Sequence, residues 1–86
     1  MKFLFIIDDP KKLSFYKDTS IALIKECLKQ KIEVHYSEIH SLSIDKKQNI
    51  IVDSFRISAI DSSIIKKENL KNKIQYFTKI FIRKDP

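Results

Sequence analysis

A chain of 86 residues can form one small domain with a modest hydrophobic core, which excludes a deep cleft between two domains. The sequence contains no glycine, so it excludes the GxGxxG and GxxxxGKS/T loops that hold nucleotide phosphates, and we expect no cofactor site in this chain. The net charge of +6 comes mainly from lysine, which supplies 15 of the 17 cations. Because these lysines are scattered from Lys2 to Lys84 and form no cluster, nucleic-acid binding is the least favoured function.

The first predicted element is a strand over residues 2–7, KFLFII, which ends at Asp8-Asp9-Pro10. A continuous apolar run of this length is typical of a strand buried on both faces, as in a parallel sheet. The run is too short for an export signal or a membrane span, and the single cysteine, Cys27, has no CxxC partner for a disulfide or a metal. We therefore expect a cytoplasmic protein without a metal site or membrane contact.

A helix is predicted next, after the polar segment that contains Pro10. Asp18 or Thr19 is a natural N-cap, and apolar residues follow at helical spacing. Cys27 is interpreted as a small core residue rather than a nucleophile. The predicted apolar face carries Ile21, Leu23, Ile24, Cys27 and Leu28.

A short second strand, IEVHY, and an antiparallel hairpin over residues 41–59 come next in the chain. The hairpin has two alternating segments around the polar turn DKKQN, and the alternation slips near Asp53-Ser54, where we expect a bulge. His35 in the second strand is interpreted as a surface or interface side chain, because no acid–His–nucleophile or His-x-x-x-His spacing surrounds it.

The last two predicted elements are a second helix and a final strand. Leu70, Ile74 and Phe77 have the i, i+4, i+7 spacing of a short helix, mostly after Lys67. The segment KIFI is then predicted to be a buried parallel strand that leads into Arg83. The predicted fold class is therefore α/β, with a mainly parallel sheet, an inserted antiparallel hairpin and about two helices.

Charged residues follow both buried strands, with Asp8 after the first and Arg83 after the last. The carboxyl ends of parallel strands lie at one end of a sheet, where the helix after the first strand also begins, so Asp8, the Lys17–Ser20 turn and Arg83 could converge. A helix N-terminus and a guanidinium group would together form a carboxylate-binding pocket. The sequence leaves open a simpler alternative, in which Asp18 only caps its helix and Arg83 forms a surface ion pair worth about 0–1 kcal/mol.

Four short motifs occur in a fixed order along the chain. They are Asp9-Pro10 after the first strand, Lys17-Asp18-Thr19-Ser20 at the helix start, His35-Tyr36-Ser37-Glu38 in the second strand, and Arg83-Lys84-Asp85-Pro86 at the end of the last strand. In this order they resemble the N-terminal domain of prokaryotic glutathione synthetase. The resemblance covers residues 1–86 as a single domain, and it implies a Rossmann-like pre-ATP-grasp fold. The chain departs from the family pattern at Lys31, where a helix-ending glycine is usual, and at Ile82, where methionine commonly precedes the arginine.

The resemblance also implies a role in the ATP-dependent ligation of γ-glutamylcysteine and glycine. On that basis Arg83 helps to bind γ-glutamylcysteine, Asp18 and Ser20 line the adjacent pocket, and Lys17 has an orienting role. ATP and magnesium would be held by an ATP-grasp domain expected beyond Pro86. We therefore expect this chain to lack catalytic residues of its own, to be inactive alone, and to have that missing domain as its partner.

An alternative from another class is a stand-alone, non-catalytic module that uses the same fold to bind a partner or a small carboxylate. In either case the chain would expose apolar surface that a second domain normally covers, so it could form a homo-oligomer. Whether the chain acts as part of an enzyme is left open by the sequence.

Overall fold

The computed structural model describes residues 1–7, 19–60 and 64–83, with the backbone alone for residues 19, 20, 64–67 and 83. The strands are β1 Lys2–Ile7, β2 Glu33–Ser37, β3 Leu42–Ile44, β4 Ile50–Ile60, β5 Ile64–Lys73 and β6 Lys79–Arg83, and the α-helix is α1 Thr19–Lys29. Single-turn 3-10 helices occupy Ile39–Ser41 and Ile74–Tyr76. Within these residues, every helix is too short or too polar to cross a membrane.

The strands form one mixed sheet rather than a mainly parallel one. β1 lies between β2 and β6 and is parallel to both, whereas β4 is antiparallel to β2, β3 and β5. Because β4 is 11 residues long, it pairs with β2 and β3 along one edge and with β5 along the other. The predicted Rossmann-like, mainly parallel α/β fold is therefore wrong, since the β3–β4 hairpin, itself confirmed, is an integral part of the sheet.

The stretch predicted as a second helix is strand β5 followed by a 3-10 helix. Leu70 lies in β5 opposite Ser54, whereas Ile74 and Phe77 have left the strand and pack against the sheet. The helical spacing of these three apolar residues thus arises from the transition between strand and 3-10 helix. Pairing with β4 provides backbone partners along β5, and this tertiary contact overrides the local periodicity.

β1 is buried on both faces, as its apolar run predicts. The first core cluster, on the α1 side, consists of Phe3, Phe5, Ile7, Ile24, Cys27, Val34, Tyr36 and Ile57. The second core cluster, on the opposite face, consists of Leu4, Ile6, Val52 and Phe77. Burying one large apolar side chain contributes about 1.5–3 kcal/mol, so both halves of the core depend strongly on β1.

β4 also contributes to both core clusters, with Val52 in the second and Ile57 in the first. The irregularity expected at Asp53-Ser54 is wrong in position, because the register with β5 shifts between Arg56 and Ile57 and again between Ile57 and Ala59. The alternation slips in the sequence because β4 buries residues on both faces, including the polar Ser54.

β6 is parallel to β1, as predicted, but it is only partly buried. Phe81 stacks on Phe5 with 4.7 Å between the ring centroids, whereas Ile80 and Ile82 are 40% and 70% exposed. In the described part of the chain, β6 pairs with β1 alone. The prediction of a fully buried last strand is therefore wrong, because an apolar run does not show whether a strand has one neighbour or two.

The turn between α1 and β2 places a non-glycine residue in the left-handed region. Lys31 has a φ of 62°, its N–H donates to the Leu28 carbonyl, and the Ile32 N–H donates to the Cys27 carbonyl. These two bonds define a Schellman motif, in which glycine is preferred at the left-handed position because it has no Cβ. A lysine in this conformation costs about 1 kcal/mol.

We predict that Lys31→Gly raises the free energy of unfolding by about 0.5–1 kcal/mol, because glycine relieves the Cβ strain while the two turn hydrogen bonds remain. Urea unfolding followed by circular dichroism measures this change. Lys25→Gly is the matched control, since glycine at an exposed interior position of α1 should lower stability by about 1 kcal/mol. A loss of stability in both variants would contradict the assignment of strain to Lys31.

Candidate functional site

The carboxyl end of the sheet, where the parallel strands β1, β2 and β6 end, is the region in which the sequence places the site. Ile7 and Arg83 are register partners, so the last residues of β1 and β6 lie side by side. Ile6 pairs with Ser37 at the end of β2. Because neighbouring strands are about 4.8 Å apart, the backbone of Arg83 lies roughly 10 Å from the end of β2.

α1 begins at the same end of the sheet. Beyond its last turn, Lys31 lines one pocket together with Met1 and Lys2, so the helix ends where β1 starts. A helix of 11 residues is about 16 Å long, which puts its first turn near the carboxyl end of the sheet. The backbone therefore places Ser20 and Arg83 at one end of the sheet, whereas Asp18 and Lys17 lie outside the described residues.

A small pocket of about 210 Å³ opens beside the end of β2. The carboxylates of Glu38 and Asp53 line it, together with the stacked rings of Tyr36 and Phe55 and the buried Ser37. We call this the acidic pocket. The Ser37 side chain itself lies on the opposite face of the sheet, because it alternates with Tyr36 and Glu38 along the chain. The pocket thus offers acceptors to a cation or a hydrogen-bond donor.

A buried polar cluster lies toward the amino end of the sheet and centres on His35. This histidine was predicted at the surface or an interface, but it is fully buried. Its Nε2 lies 2.8 Å from the Glu33 Oε2 and its Nδ1 lies 3.1 Å from the Ser54 Oγ, while the Tyr76 hydroxyl donates to the same Glu33 oxygen at 2.8 Å. The prediction is wrong because β4 and the Ile74–Tyr76 helix, both distant in sequence, cover the imidazole.

The distances among Glu33, His35 and Ser54 match those of a Ser-His-acid catalytic triad. However, Ser54 and His35 are both 0% exposed, so a substrate cannot reach the hydroxyl. A nucleophilic serine requires an accessible Oγ with oxyanion donors nearby. We therefore interpret the cluster as a structural network in which buried polar groups satisfy one another.

Glu33 is the charged centre of the polar cluster. Burial by itself would raise the pKa of its carboxyl, but hydrogen bonds from His35 and Tyr76 and the positive charge of Arg56 outweigh burial, so the pKa lies below its ordinary value of 4.5. The hydrogen bond to Glu33 and burial together raise the pKa of the Tyr76 hydroxyl. Arg56 is 3.8 Å from the Glu33 Oε1 and 4.0 Å from the Glu68 Oε1, beyond hydrogen-bond distance in both cases.

An open pocket of about 520 Å³ lies beside the polar cluster, at the amino end of the sheet. We call it the amino-end pocket. Lys2, Lys31 and Arg56 border it together with Glu33, over an apolar floor that includes Ile57. The three cations of the amino-end pocket could attract an anion. Glu33 is the one carboxylate that borders this pocket among the described residues, and one of its oxygens is already hydrogen-bonded to His35 and Tyr76.

The described residues contain no group of three His, Cys, Asp or Glu side chains positioned to hold a metal ion. Cys27 is buried in the first core cluster, and burial raises the pKa of its thiol, so its interpretation as a core residue is confirmed. Sequence reasoning missed Glu33, Ser54 and Tyr76. The available signal was Glu-x-His in the second strand, because residues two apart in a strand lie on the same face.

Comparison with known families gives a match over the whole chain. Residues 1–86 match the model of the family described as "Prokaryotic glutathione synthetase, N-terminal domain". A search of curated proteins finds no match.

The lowered pKa of Glu33 predicts a specific loss of stability in acid. A carboxyl whose pKa is depressed by folding stabilises the fold above its unfolded-state pKa, and this contribution is lost as the pH falls through the folded-state pKa. We expect the free energy of unfolding to fall more steeply below about pH 4.5 in the wild type than in Glu33→Gln. Glu68→Gln, which removes an exposed carboxylate beside the same arginine, should keep the wild-type slope. Identical slopes for all three proteins in urea titrations would contradict this assignment.

Proposed function

Because this chain belongs to the family of prokaryotic glutathione synthetase N-terminal domains, we propose that it binds γ-glutamylcysteine for the ligase of glutathione biosynthesis. The binding site is the carboxyl end of the sheet. γ-Glutamylcysteine carries two carboxylates and one ammonium group, and it therefore needs a site that combines cationic and anionic groups.

The observation that carries this proposal is the register between β1 and β6. Arg83 is the partner of Ile7, which holds its backbone beside the end of a strand buried on both faces. The planar guanidinium of an arginine can bind a carboxylate with two parallel hydrogen bonds. In our proposal, Arg83 binds the carboxylate of the cysteine end of the substrate.

The first turn of α1 provides the second part of the site. An α-helix N-terminus carries unpaired backbone N–H groups and a partial charge of about +0.5, which favour an anionic ligand. Ser20 is the second residue of this helix, and the preceding residues Lys17 and Asp18 complete the motif. We propose that Ser20 and Asp18 line the pocket wall and that Lys17 orients the ligand.

ATP and magnesium, which supply the driving force of the ligation, are assigned to an ATP-grasp domain rather than to this chain. The residues here do not fit them, because the sequence has no glycine for a phosphate loop and the described residues group no three metal-ligating side chains. In the proposal this domain therefore positions one substrate and does not carry out the ligation alone.

The test compares the only two arginines of the sequence. Arg83→Ala should weaken the binding of γ-glutamylcysteine to the 86-residue chain by about tenfold or more, because one charge-assisted contact is lost. Arg56→Ala removes the same group at the amino end of the sheet and should change the affinity by less than about twofold. Heteronuclear NMR titration measures both affinities and shows whether the amides of Ile7, Ser20 and Arg83 shift. If both variants bind γ-glutamylcysteine with the same affinity, Arg83 has only a structural role.

A further inference from the structure

The strands β5 and β6 lie at opposite edges of the sheet, and they differ in composition. β5 pairs with β4 alone, and lysine supplies four of its ten residues. Lysines on an edge strand hinder pairing with another chain, because an added strand would crowd and desolvate their charges. β6 pairs with β1 alone within the described residues, and its middle is the apolar run Ile80-Phe81-Ile82. β6 therefore lacks the charges that protect β5.

The backbone of β6 carries hydrogen-bonding groups along its outer edge. The Glu33 N–H donates to the Met1 carbonyl, so the odd-numbered residues of β1 bond to β2 and the even-numbered ones bond to β6. In a parallel pair, the residue opposite a bonded one turns its own N–H and C=O to the other side. Leu4 is opposite Ile80, so the N–H and C=O groups of Ile80 and Ile82 point outward. No strand of the described chain pairs with them.

The side chains of the same two residues form an apolar strip beside that edge. Ile80 and Ile82 are the register partners of Leu4 and Ile6, so they lie on the face of the second core cluster. Ile80 is 40% exposed and Ile82 is 70% exposed. A strand added at this edge would satisfy the outward backbone groups and cover part of both side chains.

The charge of β6 indicates which kind of strand fits. β6 contains two cations, Lys79 and Arg83, and no acidic residue, and the whole chain has a net charge of +6. If two copies paired antiparallel about Phe81, Lys79 of each copy would lie opposite Arg83 of the other. Like charges at opposite positions destabilise a sheet, which disfavours a second copy. A strand with acidic residues is instead attracted to this edge.

We infer that the outer edge of β6 binds an extended segment of another polypeptide, with apolar residues at its centre and acidic residues at its ends. The segment adds a strand to the sheet, and its main chain hydrogen-bonds to Ile80 and Ile82. Its apolar side chains cover the two isoleucines, and its carboxylates lie near the cationic ends of β6. This partner site is independent of the binding of γ-glutamylcysteine.

The test uses the synthetic peptide acetyl-Glu-Val-Thr-Ile-Thr-Val-Glu-amide, titrated into the 86-residue chain and followed by heteronuclear NMR. Binding should shift the amides of Ile80 and Ile82 and slow their hydrogen exchange, because the peptide backbone becomes their partner. A control peptide with lysine in place of both glutamates should bind at least about tenfold more weakly, since its charges are repelled by β6.

Two matched protein variants locate the peptide. Ile82→Asp places a negative charge beside the acidic peptide and removes an apolar contact, so it should weaken binding by about tenfold or more. Ile44→Asp is the control, because Ile44 is 72% exposed, close to the 70% of Ile82, but it lies in β3. Its affinity for the peptide should stay within about twofold of the wild type.

Three outcomes would overturn the inference. The first is equal affinity for the acidic and the basic peptide, or binding of neither. The second is amide shifts along β5 instead of β6. The third is a dimer that forms without peptide and shifts the amides of Ile80 and Ile82, which would identify a second copy as the occupant. The comparison of the two peptides needs no mutation, so it decides the question even if a variant does not fold.

Discussion

The burial of β1 on both faces is the constraint on which the rest of the structure depends. Its alternate residues enter two separate core clusters, with Phe3 and Phe5 in the first and Leu4 and Ile6 in the second, so a shift of one residue would exchange side chains of different size between the two clusters. The parallel pairings with β2 and β6 are therefore fixed in register. That register aligns Arg83 with Ile7 and brings the end of β2 to the same end of the sheet, so the candidate site is a consequence of core packing.

The two ends of the sheet have different chemistry. Toward the amino end, His35, Glu33, Ser54 and Tyr76 satisfy one another, and the Tyr76 hydroxyl ties the Ile74–Tyr76 helix to β2. Near the end of β2, by contrast, the carboxylates of Glu38 and Asp53 line one pocket. Satisfied networks stabilise a fold, whereas carboxylates that line a pocket can contact a ligand. This contrast favours the carboxyl end as the functional one.

Local patterns in the sequence predicted β1, the β3–β4 hairpin and the face of α1 except Leu23, which is 44% exposed, because in each the apolar spacing reflects one dominant environment. The same reasoning was wrong for β5, where Leu70, Ile74 and Phe77 share a helical spacing but belong to two different elements. It was also wrong for His35, whose partner Ser54 is 19 residues away and is brought close only by the antiparallel pairing of β2 with β4. The family was recognised from motifs that this error in fold class did not affect.

The central claim is that the substrate binds at the carboxyl end of the sheet, where Arg83 is aligned with Ile7. A crystal structure of the chain with bound γ-glutamylcysteine tests it most directly. The expected result is the cysteine carboxylate at Arg83, beside the first turn of α1. A ligand bound instead in the amino-end pocket, between Lys2, Lys31 and Arg56, would contradict it.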